Sequence, residues 1–149
     1  MARLSEYYGN CLGQTGQNQE FIEEKVTQLL EDLSPTSFFY TMMDGSMIPT
    51  REGEKSNDWK EVKLGRLFTD MDKFELDKGH NWIKQSAYCA HLGDSKEFLK
   101  EFEPMTDILE PLNEQLIFVG DGAKWIWNWV SSSYPKATQI LDFYHALEH

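Results

Sequence analysis

Leu116-Ile117-Phe118-Val119-Gly120-Asp121-Gly122-Ala123-Lys124-Trp125-Ile126-Trp127 reads as a buried strand that breaks at a Gly-Asp-Gly corner and restarts as a helix. The four apolar residues before Gly120 suit a strand covered on both faces. The residues after Gly122 change to helical spacing, with Trp125, Ile126, Trp129 and Val130 on the side predicted to face the core and Trp127 turned outward. A carboxylate at the C-terminal end of such a strand occupies the place where open α/β sheets put their chemistry. An aspartate there also serves as a cap for the next helix. On these residues alone both readings of Asp121 stay open.

Downstream, residues 138–144 read as another strand. The unit of strand 115–119, helix 122–133 and strand 138–144 has the size of a βαβ crossover, about 30 residues. The right-handed crossover rule makes its two strands parallel. Upstream, Phe38 to Met43 is an aromatic and apolar strand ending at Asp44-Gly45, and Val62, Leu64 and Phe68 alternate in a second strand. Residues 86–92 form a third. Asp94 with Glu97 has the form of a capping box, and Phe98, Phe102, Met105, Leu109 and Leu112 follow on one helix face. Pro104 and Pro111 are expected to kink or divide that helix. Val26, Leu29, Leu30 and Leu33, with Phe21 and Ile22, predict an amphipathic helix stopped at Ser34-Pro35. The chain thus divides into a polar segment and helix over 1–35 and an α/β domain over 36–149, a mixed sheet of about five strands flanked by helices.

The bulk numbers narrow the function. At 149 residues the chain is long enough for one domain with a core. A net charge of −11 argues against a broad nucleic-acid surface, because such affinity rests on cations neutralising phosphates. Any nucleic-acid role is then local or metal-bridged. Cys11 and Cys89 are too few for a disulfide framework or a cysteine zinc site. With no signal-peptide pattern and no apolar run near the ~18 residues of a membrane span, the chain reads as soluble and cytoplasmic.

Asp44 and Asp121 occupy matching places, each after an apolar strand and each followed by glycine. If their strands lie side by side and parallel, both carboxylates emerge at one edge. Two carboxylates suit Mg²⁺, and paired ions of this kind clamp the oxygens of an in-line phosphoryl transfer. The competing reading is an Asp-Gly turn at Asp44 and a helix cap at Asp121. Asp142, His145 and His149 form a weaker metal candidate. Lys124 is placed to contact a phosphate, and Arg51, Lys55, Lys60 and Lys63 give a local basic bias. The acids from Glu97 to Glu114 read as a solvated helix face.

Met43-Asp44-Gly45-Ser46, Glu61-Val62-Lys63-Leu64-Gly65, Gly120 to Asn128 and Ile140 to His149 together resemble bacterial insertion-sequence transposases of the ISKra type, relatives of the Mutator-like group. The resemblance spans roughly residues 36–149. It implies an RNase H-like fold and a DDE catalytic centre that uses Mg²⁺ or Mn²⁺ to cleave and join DNA, in an enzyme that assembles on transposon ends as an oligomer. Asp44 then corresponds to the first acid and Asp121 to the second, while Asp142 and His145 match the family's D-x-x-H signature. The family's third acid, a glutamate, lies well downstream of that signature, beyond His149. The chain therefore reads as the N-terminal part of a transposase catalytic domain, inactive alone. The alternative is a non-enzymatic remnant or an interaction module that pairs with other transposase chains.

Overall fold

The computed structural model describes residues 19–31, 33–51, 57–71 and 73–142. His145 and His149, with Cys11 and Lys55, lie outside the described residues. The elements run α1 (Gln19–Glu31), β1 (Phe39–Arg51), β2 (Asn57–Thr69), β3 (Lys73–Asp77), β4 (His80–Ile83), β5 (Ala87–Leu92), α2 (Ser95–Asp107), a 3₁₀ segment (Glu110–Gln115), β6 (Leu116–Gly120), α3 (Lys124–Ser133) and β7 (Thr138–Leu141). The main sheet has the order β5-β2-β1-β6-β7, and β3 with β4 makes a separate hairpin. Within the main sheet β2 is antiparallel to β1 and β5, while β6 is parallel to both β1 and β7. The class is α/β with a mixed five-stranded sheet, and β6-α3-β7 forms the expected parallel unit.

One face of the sheet carries the core. Phe39 and Met43 of β1, Leu67 of β2, Ala87 and Cys89 of β5, and Leu116 and Phe118 of β6 all belong to a single buried cluster. The registers pair these residues row by row, so they share one side of the pleat. Onto that side α1 packs Val26 and Leu29, α2 packs Phe98, Phe102 and Met105, and α3 packs Ile126, Trp129 and Val130. Ring contacts lock α3 down: Phe118 meets Trp129 edge-on at 5.8 Å, and Phe98 meets Trp125 likewise at 5.8 Å. Gly65 makes room for α2, because a Cβ there would run into the Phe102 ring. Gln115 fastens the segment before β1 by donating to the carbonyl of Ser37 at 2.9 Å.

No described helix packs on the opposite face. It carries Tyr40, Met42, Leu64, Phe68, Tyr88, Ile117, Val119 and Ile140 by register. Tyr40 stacks on Phe68 at 5.2 Å, and the Arg66 guanidinium lies over Phe68 and Tyr88 at 4.7 and 5.7 Å. Arg66 also donates to the Ser86 hydroxyl at 3.1 Å.

Two expectations are corrected. The first strand does not stop at Asp44-Gly45. It continues to Arg51, because β2 pairs with it along its whole length from Phe39↔Thr69 to Arg51↔Asn57. Past Met43 β6 no longer pairs with β1, so that edge of β1 needs no further donors and Pro49 fits within the strand. Pro104 does not divide α2, which runs unbroken through it to Asp107. Pro104 leaves only the Lys100 carbonyl without its usual donor within the helix, a local loss that does not end it. Pro111 lies in the 3₁₀ segment that follows.

Candidate functional site: a row of acids at the sheet edge

The parallel ladder β1–β6 ends at Met43↔Gly120, and β6–β7 ends at Gly120↔Leu141. Asp44, Asp121 and Asp142 are the next residues on the three strands. They therefore stand at neighbouring places just past the last paired residues of these ladders, about 4.8 Å between adjacent strands, where β6 and β7 end and β1 runs on beside β2. The Asp142 amide extends the ladder by donating to the Gly120 carbonyl at 2.7 Å. Sequence reasoning placed Asp44 and Asp121 together. Its signature residue Asp142 joins them through a register that no spacing in the chain reveals.

Each acid is set by its own backbone. Asp44 is opposite Leu64 and so points to the side of the sheet away from the helices. Its Oδ1 accepts from the Gly45 amide at 2.8 Å. Asp121 accepts from the Ala123 amide through Oδ1 at 2.8 Å. That bond makes an Asx-type turn and not a helix cap: Ala123 is the N-cap of α3, and no side chain caps the helix. The cap reading of Asp121 is thus replaced by a turn that leads into an uncapped helix N-terminus. Lys124 opens α3 and is exposed there.

Other residues have different surroundings from those expected. Lys63 is not part of a basic surface. It is 3% exposed, paired with Glu61 at 2.6 Å and set over the Trp125 ring at 5.5 Å. Gly45 gives the Glu61 carboxylate its space, since a Cβ there would come 2.5 Å from Glu61 Oε1. Glu103, read as solvated, accepts from the Trp129 indole at 2.9 Å. Among the described residues no three His, Cys, Asp or Glu side chains converge as a metal-binding group. Nor is any described helix long and apolar enough to cross a membrane.

Comparison with known proteins adds no relative: no family model, curated protein or solved structure matches the chain. The arrangement itself defines the chemistry available. Asp44 and Asp121 put two hard oxygen donors on adjacent strands, which suits a hydrated divalent cation better than a soft metal. The first turn of α3, which no side chain caps, and the exposed Lys124 ammonium follow directly after Asp121.

Proposed function

We propose that this chain carries part of the catalytic domain of an insertion-sequence DDE transposase, with Asp44 and Asp121 as the two strand-borne acids that hold Mg²⁺ or Mn²⁺. The observation that carries the reading is the common row of Asp44, Asp121 and Asp142 across three parallel strands. The sheet order supports it too. Numbered along the chain, the five main strands lie third, second, first, fourth and fifth, with only the second reversed, as in an RNase H-like sheet.

The chemistry is metal-assisted phosphoryl transfer on DNA. Asp44 and Asp121 would hold the divalent ions, which when bound would activate the attacking oxygen and stabilise the leaving one. Lys124 and the open amides of α3 orient a phosphate against that edge. A helix carrying a third acid would find an apolar surface at Tyr40, Met42, Ile117 and Val119, on the face to which Asp44 points. Metal is tested directly by adding Mn²⁺ to the isotope-labelled chain. Saturable broadening of the Gly45 and Gly122 amide signals is expected, and Asp44→Asn with Asp121→Asn should remove it. Broadening that is absent, or unchanged in the double variant, sinks the proposal.

The apolar face that no described helix covers also favours a second reading, in which the chain is an interaction module and a helix of another transposase chain covers it. Mixing with a full-length transposase of the resembled family should then give a hetero-oligomer that Tyr40→Asp or Val119→Asp disrupts. A complex insensitive to both variants places the contact elsewhere.

A further inference from the structure

Asp121 stands between two glycines, Gly120 and Gly122, which restrict the backbone less than any other residue. Two donors hold the corner. The Ala123 amide reaches the Asp121 side chain at Oδ1, and the Trp127 indole N–H donates to the Asp121 main-chain carbonyl at 2.7 Å. The indole bond puts a fixed point on the Asp121–Gly122 peptide itself. Trp127 is held in turn by α3. It is half-buried against the core cluster, on a helix whose Ile126, Trp129 and Val130 are buried. That helix sits close to the strand end, since a Cβ on Gly120 would come to 3.3 Å from Ile126. Oδ1 of Asp121 is occupied by the turn, and Oδ2 has no partner among the described residues.

We infer that Trp127 is a positioning residue for Asp121: through the main-chain carbonyl it holds the aspartate in the conformation that leaves Oδ2 for a divalent cation. The inference rests on the reading of Asp121 as a metal ligand and adds one residue to that site. Trp127 meets neither metal nor substrate in this role. Three features favour it over a bond that serves the helix alone. The contact joins side chain to main chain six residues apart, across the corner, so it ties α3 to the acid and adds nothing to the helix ladder. No side chain caps α3, so the corner is not held from that direction. An indole is a neutral donor and binds the carbonyl, so it orients the acid without neutralising the carboxylate that the cation needs. Without this bond Asp121 samples other orientations about its two glycines, and the ion loses one of its two strand-borne carboxylates for part of the time. Groups that orient a ligating side chain commonly set metal affinity by a factor of ten or more.

The test uses the full chain and compares wild type, Trp127→Phe, Asp121→Asn and the double variant. Trp127→Phe keeps an aromatic ring and removes the N–H. Mn²⁺ titration read at the Gly122 amide signal should show about tenfold weaker binding in Trp127→Phe. In the Asp121→Asn background the same change should make no further difference, because the acid it positions is gone. A second readout needs no variant. Diamagnetic Mg²⁺ should shift the Trp127 indole N–H signal of the wild type in step with the Gly122 amide. Should Trp127→Phe fail to fold, that signal alone decides. Equal Mn²⁺ affinity in wild type and Trp127→Phe overturns the inference and leaves Asp121 as a ligand. So does an indole signal that stays still while the Gly122 amide moves. A loss of the same size in the Asp121→Asn background shows that Trp127 acts through the fold at large, which overturns it too. A wild type that binds neither ion removes the metal site and the inference together.

Discussion

Asp44 and Asp121 each follow the last residue of the β1–β6 ladder, Met43 and Gly120, and so stand one strand apart on the same edge. Asp121→Asn keeps the turn, because an asparagine oxygen also accepts from the Ala123 amide. Its stability without metal should stay within about 0.5 kcal/mol of wild type or rise. The stabilisation by saturating Mn²⁺, about 2.7 kcal/mol at a hundredfold excess over Kd, should disappear. Denaturant titration with and without Mn²⁺ checks both halves. A variant that keeps the full Mn²⁺ effect removes Asp121 from the metal site.

Gly65 and Phe102 fix the distance between β2 and α2. Gly65→Ala puts a methyl into the Phe102 ring and should cost about 1–3 kcal/mol by overpacking. Phe102→Leu in the same chain should recover part of that loss, giving a coupling of about 0.5 kcal/mol or more. Strictly additive losses would show that the two residues do not meet.

The same pair explains what the sequence made legible and what it hid. The β6-α3-β7 unit was readable because its core residues are large, apolar and correctly spaced. In β2 the apolar alternation of Val62, Leu64 and Phe68 marks the face without helices. The core face carries Lys63, Gly65 and Leu67, and only Leu67 looks like core. Lys63 is buried through a partner on its own strand and a ring on α3, neither visible from its neighbours in sequence. The β3–β4 hairpin was missed although Gly79, at φ 91°, marks its turn. For the site, two strand-end acids were legible, but the place of Asp142 beside Asp121 depends on register, which long-range pairing decides.

Thr41 is fully buried in β1, and its hydroxyl has no hydrogen-bond partner among the described residues. Its row neighbours Leu67 and Phe118 are both core residues. Thr41→Val replaces the hydroxyl by a methyl of nearly equal size and removes an uncompensated desolvation cost. Stability should rise by about 1 kcal/mol. A loss on equilibrium denaturation would mean that the hydroxyl is hydrogen-bonded in solution.

Cys89 lies in the core on β5, and burial, reinforced by the Glu101 carboxylate, pushes its thiol up to about 12. The thiolate is the reactive form, so mildly alkaline iodoacetamide should label Cys89 only as fast as the chain opens. The folded state binds this proton more tightly than the unfolded state. The thiol's contribution to stability is therefore full below the ordinary thiol range and declines as pH rises through that range towards about 12. Peptide mapping, which separates Cys89 from Cys11, reads the labelling. Rapid modification under native conditions would contradict the burial.

Asp94 gives the opposite pH response at the start of α2. Its carboxylate accepts from the amides of Glu97 at 3.0 Å and Lys96 at 2.8 Å, and these bonds hold its acidity below the usual carboxylate range. Glu97 does not complete the capping box. It turns away to Lys100 at 2.6 Å. The cap is therefore one-sided and depends on the charge of Asp94. A lowered folded-state value means the stabilisation is fully present above the ordinary carboxylate range. It is lost as pH falls through the lowered value. Asp94→Ala should be less stable than wild type at neutral pH, and the gap should close on acidification through that window. Asp94→Asn, a comparable neutral cap, should lie near wild type with less of this pH dependence. Denaturation midpoints of the three proteins across the acid range decide it. A gap between wild type and Asp94→Ala that stays constant with pH would show that the cap acts without its charge.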